Sequence, residues 1–549
     1  MKNRTTILIL GTGQFIMVLD TTVMNVSISQ VVDDLDTTVT ALQTAITAYT
    51  LVMAAFMLTG AKFGDIWGRR RAFAIGLAVY GTGSLITALS PNITVLLIGW
   101  SGVEGLGAVL VIPAIASLTA SNYEGRERAL AFALIGGIAG AAAAAGPLIG
   151  GFVTTAWTWR AVFAAESVTV AGMLLLVRKI PADRPAGSSV KLDGVGTLLS
   201  ALGMGLAVFG ILKISSWGLF KPTGALTING TRITPFGFSV VPFLIFAGLV
   251  VLGLFLRWEE RVERRGGIPL LRGDLLKVSQ LRAGASTLMS QYLILAGTFF
   301  VLPLYLQLVL GKDALQTGVK ILPISVTMMV AAMLGPRLAT RMSPRRVVEI
   351  GMGFLFVSII GLMATISPDL ADVAFAISLG GFGAGVGLSI SQLGNVLMSS
   401  VPESRSSEAG GIQGVSQNLG QSLGTALIGA VLLTGLTSGF HDKVRADAAI
   451  PPQVQEQLVT GTEDGIPMVS ESQAESAAKQ AGLSASQVDA VVADYGDAQI
   501  DALKTALLVA SSFVLVGFWF ARALPGQPLP GEDEVEPEVE ELDLAVRPV

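Results

Sequence analysis

Fourteen stretches of this chain stay apolar for the roughly 20 residues that a helix needs to cross a bilayer, and no other feature limits the fold so tightly. They run over 5–32, 40–62, 72–89, 93–120, 129–153, 159–178, 194–213, 235–257, 283–310, 316–338, 347–366, 372–400, 408–438 and 500–523. Backbone in hydrocarbon must satisfy its own hydrogen bonds, so each stretch is expected to be helical. Composition agrees. Only 14% of the 549 residues are charged and 52% are hydrophobic, against about 25% charged in soluble domains. The fold class expected is an all-α membrane protein with 14 transmembrane helices. The first stretch is too long for a signal-peptide core and has no small-residue cleavage site after it, so it reads as a retained span.

Absences narrow the chemistry. There is no Cys and a single His, His441. Thiol chemistry, disulfide scaffolds and Cys/His metal sites are excluded. A catalytic relay on one His in a polar stretch has little support, so no enzyme, no metal and no cofactor are expected. The net charge of −4 comes with no basic face, which argues against nucleic acid. The partners expected are the lipid bilayer and a small lipophilic substrate, with the chain acting as a monomer.

Basic residues set the orientation. With a cytoplasmic N-terminus, 26 of the 36 Lys and Arg fall in inside segments and 10 outside. The reverse orientation inverts that ratio. Both termini are therefore expected in the cytoplasm, with the chain in the cell (plasma or inner) membrane. Three segments lie off the membrane. Residues 214–234 read as an outside loop. Residues 439–499 form a polar outside excursion, in which Ser470 with Gln473 and Ser484 with Gln487 have capping-box spacing. Two short helices there, packed as a cap, and a mobile polar loop are both compatible with that stretch. The tail 524–549, with eight acids from Glu532 to Asp543, has a disordered composition.

The chain also repeats itself. GAKFGDIWGRRR at 60–71 aligns with GPRLATRMSPRR at 335–346 at an offset of 275. Gly60 then meets Gly335, Lys62 meets Arg337, and Arg70 and Arg71 meet Arg345 and Arg346. Each loop follows the second span of its half. Such repeats mark secondary transporters, with the substrate site between halves near the midplane. The implied division is a six-helix half over 1–180, a linker with two extra spans over 181–278, a second six-helix half over 279–523 that includes the excursion, and the acidic tail.

At this point the sequence resembles the major facilitator superfamily, in its 14-span drug:proton antiporter branch. LDTTVMNVSIS at 19–29 is similar to the branch's first-helix motif, with Asp20 as its acid. FGDIWGRRR at 63–71 resembles the cytoplasmic gate motif and GPLIGG at 146–151 the fifth-helix antiporter motif. WRAVF at 159–163, LPLYLQLVLG at 302–311 and GAGVGLSI at 383–390 add to it. Their order and spacing over all the spans carry the resemblance. There are departures. The gate motif has Ala61 and Ile66 where Gly and a basic residue are usual, and Thr340 stands where the repeat has room for an acid. The fourth-helix motif has Ser101 in place of Arg and Glu104-Gly105 in place of Gln-Gly. Glu166 stands where the branch has Asn.

Three acids carry the chemistry. Asp20, Glu104 and Glu166 each fall within a few residues of a span midpoint, where an acid costs about 2.5–3.5 kcal/mol on insertion scales. Protonation lowers that cost. A midplane carboxylate that exchanges a proton for a cationic substrate is the simplest antiport device, and the missing Arg points to Asp20 and Glu104 sharing the proton work. A structural role stands beside each: capping or packing for Asp20, an interhelical hydrogen bond for Glu104, support for Glu166. In the gate loop, Gly64 and Gly68 suggest a tight turn. Asp65 is an acceptor for helix amides or arginines, and Arg69, Arg70 and Arg71 face anionic lipid or simply anchor the loop. In the antiporter motif Gly146, Gly150 and Gly151 allow close helix approach and Pro147 favours a kink. The second half offers amides in place of acids. Gln291, Tyr292, Gln413, Gln417 and Asn418 are candidates to line a cavity, and Gln413, Gln417 and Gln421 share one helix face at i, i+4, i+8. Interhelical hydrogen bonding explains them equally.

The function expected is proton-coupled export (antiport), by alternating access, of lipophilic, cationic compounds, with protons as the coupling ion. Export of a lipid or lipid-like metabolite by the same fold is the alternative within the class. A non-transporting membrane receptor or scaffold using the 439–499 segment is the alternative outside it.

Overall fold

Gly68 shows how little chain separates two membrane helices. It is the single residue between Val39–Trp67 and Arg69–Ala88, and its φ of 87° lies in the region that glycine tolerates best. Gly64 lies inside the first of these helices. The tight turn expected from both glycines is therefore made by Gly68 alone. A computed structural model describes residues 4–123, 125–181, 192–222, 226–228, 231–267, 269–339, 341–401, 406–462 and 465–527. The acidic run at 532–543, Thr340 and Arg405 lie outside the described residues, as does the side chain of Asp65.

The spanning helices are α1 (Arg4–Val26), α2 (Val39–Trp67), α3 (Arg69–Ala88), α4 (Ile93–Leu96, continued through a π-helical stretch Leu97–Glu104 into Gly105–Asn122), α5 (Gly125–Ala156) and α6 (Arg160–Leu176). The linker pair is α7 (Gly194–Leu212) and α8 (Val241–Arg264). The second half has α9 (Ser279–Leu304), α10 (Ala314–Ala339), α11 (Pro344–Thr365), α12 (Asp372–Ser399), α13 (Ser406–Ala446) and α14 (Ala485–Ala521). Thirteen of these are long and apolar enough to cross a membrane; α5, with its apolar part at Ala145–Ala156, completes the 14 expected.

The repeat holds in three dimensions. Residues 60–71 connect α2 to α3, and 335–346 connect α10 to α11, where Ser343 caps α11 and Pro344 opens it. Within a half, small residues set the helix spacing. Gly83 of α3 lies so close to the backbone of Glu104 that a Cβ there would clash. Across the halves, α2 packs along α13 and α5 along α10. The linker helix α7 lies over the α2–α13 seam: Met204 packs with Ala54, Ala55 and Val415, and Val208 and Leu212 with Leu51, Leu419 and Ala426.

Two expectations are corrected. The segment 214–234 is not all loop, since it holds a helical turn (Ile214–Trp217) and an antiparallel hairpin, β1 (Leu226–Ile228) with β2 (Thr231–Ile233). The helix that carries the last span begins at Ala485, well ahead of the apolar run at 500, because the helix capped by Ser484 and Gln487 runs on for 37 residues as α14. The second capping box, Ser470 with Gln473, opens a separate helix, Glu471–Gln480, and a further helix over Pro452–Gly461 has no such signal. The excursion is a packed cap. Ile450, Ile466, Met468, Ala478, Val488, Val491 and Tyr495 are buried in it and join the main apolar core. The end of the bundle carrying it is the cap end below, and the opposite end the basic end.

Candidate functional site

Four helices of the first half bring the three buried acids together. Asp20 comes from α1, Glu104 from α4 and Glu166 from α6, with α3 packed between α4 and α6. One carboxylate oxygen of each lies within 4.8 Å of the others. The three are 0%, 0% and 2% exposed, which seals them from solvent. Asp20 accepts from Trp100 Nε1 through both oxygens, at 2.9 and 3.1 Å. Tyr49 of α2 stacks on that indole with ring centroids 4.7 Å apart. Glu166 Oε2 accepts from Ser84 Oγ of α3 at 3.4 Å, and its Oε1 has no partner among the described residues. Tyr80 and Ser84 are the hydrogen-bonding neighbours of Glu104, although neither of its oxygens, nor the buried Tyr80 hydroxyl, reaches full hydrogen-bond geometry.

Electrostatics limits what this cluster can hold. No lysine or arginine is buried among the described residues. Like charges this close in a poorly screened interior repel strongly, so three bare carboxylates cannot coexist there. Protons or a bound cation must balance them. A proton needs no other ligand, whereas Ca²⁺ or Mg²⁺ takes six or more oxygens, from protein or water. Ser101 does not stand in for an arginine. Its hydroxyl donates to the Ala45 carbonyl of α2 at 2.7 Å.

The π-helical stretch ends at Glu104 and carries Trp100 and Ser101. Such insertions collect at functional sites because they re-aim side chains. Sequence reasoning found the acids and missed Trp100, Tyr49, Tyr80 and Ser84. A tryptophan in an apolar run looks like packing or a lipid anchor, and only the fold shows its N–H turned onto an acid.

The antiporter motif sits where the halves meet. Gly146 and Gly150 face Thr22 and Val23 of α1, just past Asp20, while Gly151 meets the Ala314 backbone of α10. Gly318 of α10 in turn approaches the Pro147 carbonyl so closely that a side chain at either glycine would collide with backbone. Helix α5 runs continuously through Pro147. In the gate loop, Arg69 donates to the Ser117 carbonyl at 3.2 Å and Arg70 to the Ile180 carbonyl at 3.0 Å, both within the first half. Arg71 is exposed.

The polar candidates of the second half separate into two groups. Gln291 donates to the Val386 carbonyl of α12 at 2.8 Å, and Asn418 to Gly414 in its own helix at 2.9 Å, and both are buried. Tyr292, Gln413, Gln417 and Gln421 are half-buried. A lock at the cap end escaped the sequence reading. Gln307, in a π-helical turn Tyr305–Val309 after α9, accepts from Ser29 Oγ at 2.5 Å and Ser29 N at 3.2 Å, and donates to the Val26 carbonyl at 2.6 Å. These bonds join the halves at the point where α1 breaks at Ser27.

Paired six-helix halves around an enclosed polar centre define a secondary transporter. The sequence profile of the Major Facilitator Superfamily matches residues 10–226 and 222–425, and the chain belongs to that superfamily. It is 27% identical over 463 residues to the multidrug resistance protein Stp of Mycobacterium tuberculosis (strain CDC 1551 / Oshkosh), covering 83% of this chain and 81% of that one. It is 30% identical to the puromycin resistance protein pur8 of Streptomyces alboniger, over 78% and 81% of the two chains. Identity to the tetracenomycin C resistance and export protein of Streptomyces glaucescens is 26%, over 81% and 79%. Among solved structures, a bacterial homolog of the human lysosomal transporter Spinster, inward-facing and unoccupied, matches with a TM-score of 0.57 at 14% identity, over 94% and 97% of the chains. That likeness is one of fold.

Proposed function

We propose that this transporter exports lipophilic compounds in exchange for protons, with Asp20 and Glu104 as the groups that take up and release them. One observation carries the reading: three enclosed carboxylates within 4.8 Å of one another, with no buried lysine or arginine among the described residues. Partial protonation stabilises such a cluster without any further ligand, so its proton count is tied to its surroundings. Movement of α1 at the seam alters those surroundings, because Gly146 and Gly150 hold α1 against α5 immediately beyond Asp20. Glu166, anchored by Ser84, completes the cluster and holds a proton in support. Relatives named for resistance and export fit a cargo that must leave the cell. The orientation that follows places the cap outside and both termini in the cytoplasm.

The test is export driven by an imposed pH gradient, and substrate-induced proton release, from purified protein in liposomes. Asp20→Asn abolishes both, and Glu104→Gln weakens them and changes their pH dependence. Full proton coupling in the Asp20→Asn, Glu104→Gln double variant overturns the reading. For orientation, a cysteine placed within 450–460 reacts with an impermeant maleimide from outside intact cells, and one at 263–267 only after the membrane is opened. The reverse pattern inverts the topology.

A further inference from the structure

The second half carries a line of free amides, and its surroundings identify what it binds. Neighbours divide the surface of α13. One face meets α2: Gly411 and Gly414 pack on Leu58 and Met57, Ser422 donates to the Thr47 carbonyl at 3.1 Å, and Thr425 accepts from Gln43 at 2.9 Å. A second meets α9: Gly420 and Gly424 lie against Met289 and Leu293. A third, with Val415, Leu419 and Leu423, packs under the linker helix α7. At 3.6 residues per turn, Gln417 and Gln421 project on the side between the α9 and α2 faces, toward the interior between the halves, and Gln413, its amide beside Gly394 of α12, marks the α9 edge of that side. All three are half-buried, and none makes a hydrogen bond or ion pair among the described residues. Tyr292 of α9, packed beside Gly420, is half-buried too, and its hydroxyl is equally free among them.

This line contrasts with the acids. Asp20 and Glu104 are 0% exposed, so a ligand in the interior does not touch them in this state. No buried lysine or arginine is present among the described residues to meet an anion. What the interior offers is neutral: amides that both donate and accept, and a phenol. The amides stand one helical turn apart, which spreads them over about 12 Å at 1.5 Å per residue.

We propose that Gln413, Gln417, Gln421 and Tyr292 form the cargo-binding face, and that the cargo is an uncharged, elongated, apolar-bodied molecule with carbonyl or hydroxyl oxygens along one edge. The inference rests on the export reading but differs from the sequence expectation of a cationic cargo. The acids move protons and the amides hold the passenger. Cargo and proton then communicate through helix movement rather than by exchanging places on one carboxylate.

Two measurements on the full-length protein keep this inference separate from the reading beneath it. Binding is followed by quenching of tryptophan fluorescence in detergent, with 1,8-dihydroxyanthraquinone as the neutral probe at pH 6 and ethidium as a permanent cation of similar size. The anthraquinone binds more tightly than ethidium. The Gln417→Leu, Gln421→Leu pair weakens it about tenfold or more, Tyr292→Phe weakens it about three- to tenfold, and Gln417→Asn retains part of the affinity. Asp20→Asn still binds anthraquinone, with an affinity that no longer varies with pH, because Asp20 acts on the cargo only through helix movement. Transport of both probes is measured separately in liposomes. Tighter binding of ethidium, loss of that binding in Asp20→Asn, or binding of neither probe overturns the inference. So does unchanged anthraquinone binding in the glutamine pair. Binding as expected with no gradient-driven movement leaves the cargo face standing and overturns the export reading. Elution of each variant as a single symmetric species shows that a loss of binding is not a loss of fold.

Discussion

The two halves repeat one architecture and treat their polar side chains in opposite ways. In the first half, polar groups are turned inward among their own helices: Asp20 on Trp100, Glu166 on Ser84, Ser101 on the Ala45 carbonyl. In the second, Gln413, Gln417 and Gln421 stay half-buried with no hydrogen bond among the described residues. Glycines explain part of the difference. Gly83 and Gly107 press α3 against α4 so tightly that the acids are closed in, whereas on α13 the glycines at 411, 414, 420 and 424 serve the contacts with α2 and α9 and leave the amide side clear. A sealed titratable cluster and an accessible neutral surface are separate instruments. Antiport with divided roles needs both.

The comparison breaks most readily at Trp100. Its indole N–H is the donor on both oxygens of Asp20, and a hydrogen bond to a charged group contributes about 1.5–3 kcal/mol. Trp100→Phe keeps the stack on Tyr49 and removes the donor. Proton-driven export falls roughly 10- to 100-fold and its pH profile moves, while anthraquinone binding is retained. If binding falls with export, the halves do not divide the work.

Much of this was legible in the sequence, and what was not has a physical cause. The 14 helices follow from runs of apolar residues, since hydrocarbon leaves the backbone few alternatives. The acids were legible because a carboxyl at mid-span is expensive unless used. Their mutual approach was not, because it depends on the π-helical stretch Leu97–Glu104, which has no residue signature and changes where Trp100 and Glu104 point. Of the amides, Gln291 and Asn418 looked the same as Gln413 and Gln417. Only the packing of α12 and the turn of α13 show that the first two spend their N–H groups on backbone carbonyls. The polar run Ala485–Gln499 does not show in sequence that its helix continues into the last span, because polar sequence extends a membrane helix where a cap packs against it.

Gln307 tests whether the halves are held shut at the cap end by polar contacts or by packing. It makes three hydrogen bonds across the seam, to Ser29 and to the Val26 carbonyl. Each contributes about 0.5–1.5 kcal/mol net, so their loss biases the molecule toward opening at that end by roughly 2–4 kcal/mol. Gln307→Leu keeps the bulk and removes the bonds. A cysteine at position 25, buried behind the lock in the closed state, reacts on the order of ten times faster or more with a maleimide added from the cap side. Equal rates would place the closure in the α5–α10 contacts, where Gly151 and Gly318 meet backbone.

The smallest effect belongs to the cap. It is inserted in the second half, between α13 and α14, and it touches the first half where Gln473 Nε2 donates to Asp33 Oδ1 at 3.4 Å. Both groups are exposed and the bond is long, so it contributes little: surface contacts of this kind are worth about 0–1 kcal/mol. The cap's own cohesion is a different matter. Tyr495 accepts from Val469 N and donates to the Pro467 carbonyl, each at 2.8 Å, and Gln499 donates to the Val469 carbonyl at 2.7 Å. These bonds fix the 466–469 segment on α14, within the second half. Gln473→Ala therefore leaves export and cap-side labelling within about twofold of the parent. Tyr495→Phe loosens the cap, seen as faster hydrogen exchange across 466–480, yet changes export little, because the lock at Gln307 lies beneath it. A large loss of export in Gln473→Ala would make the cap a working part of the gate and would shift the seam between the halves outward, from Gln307 to the cap itself.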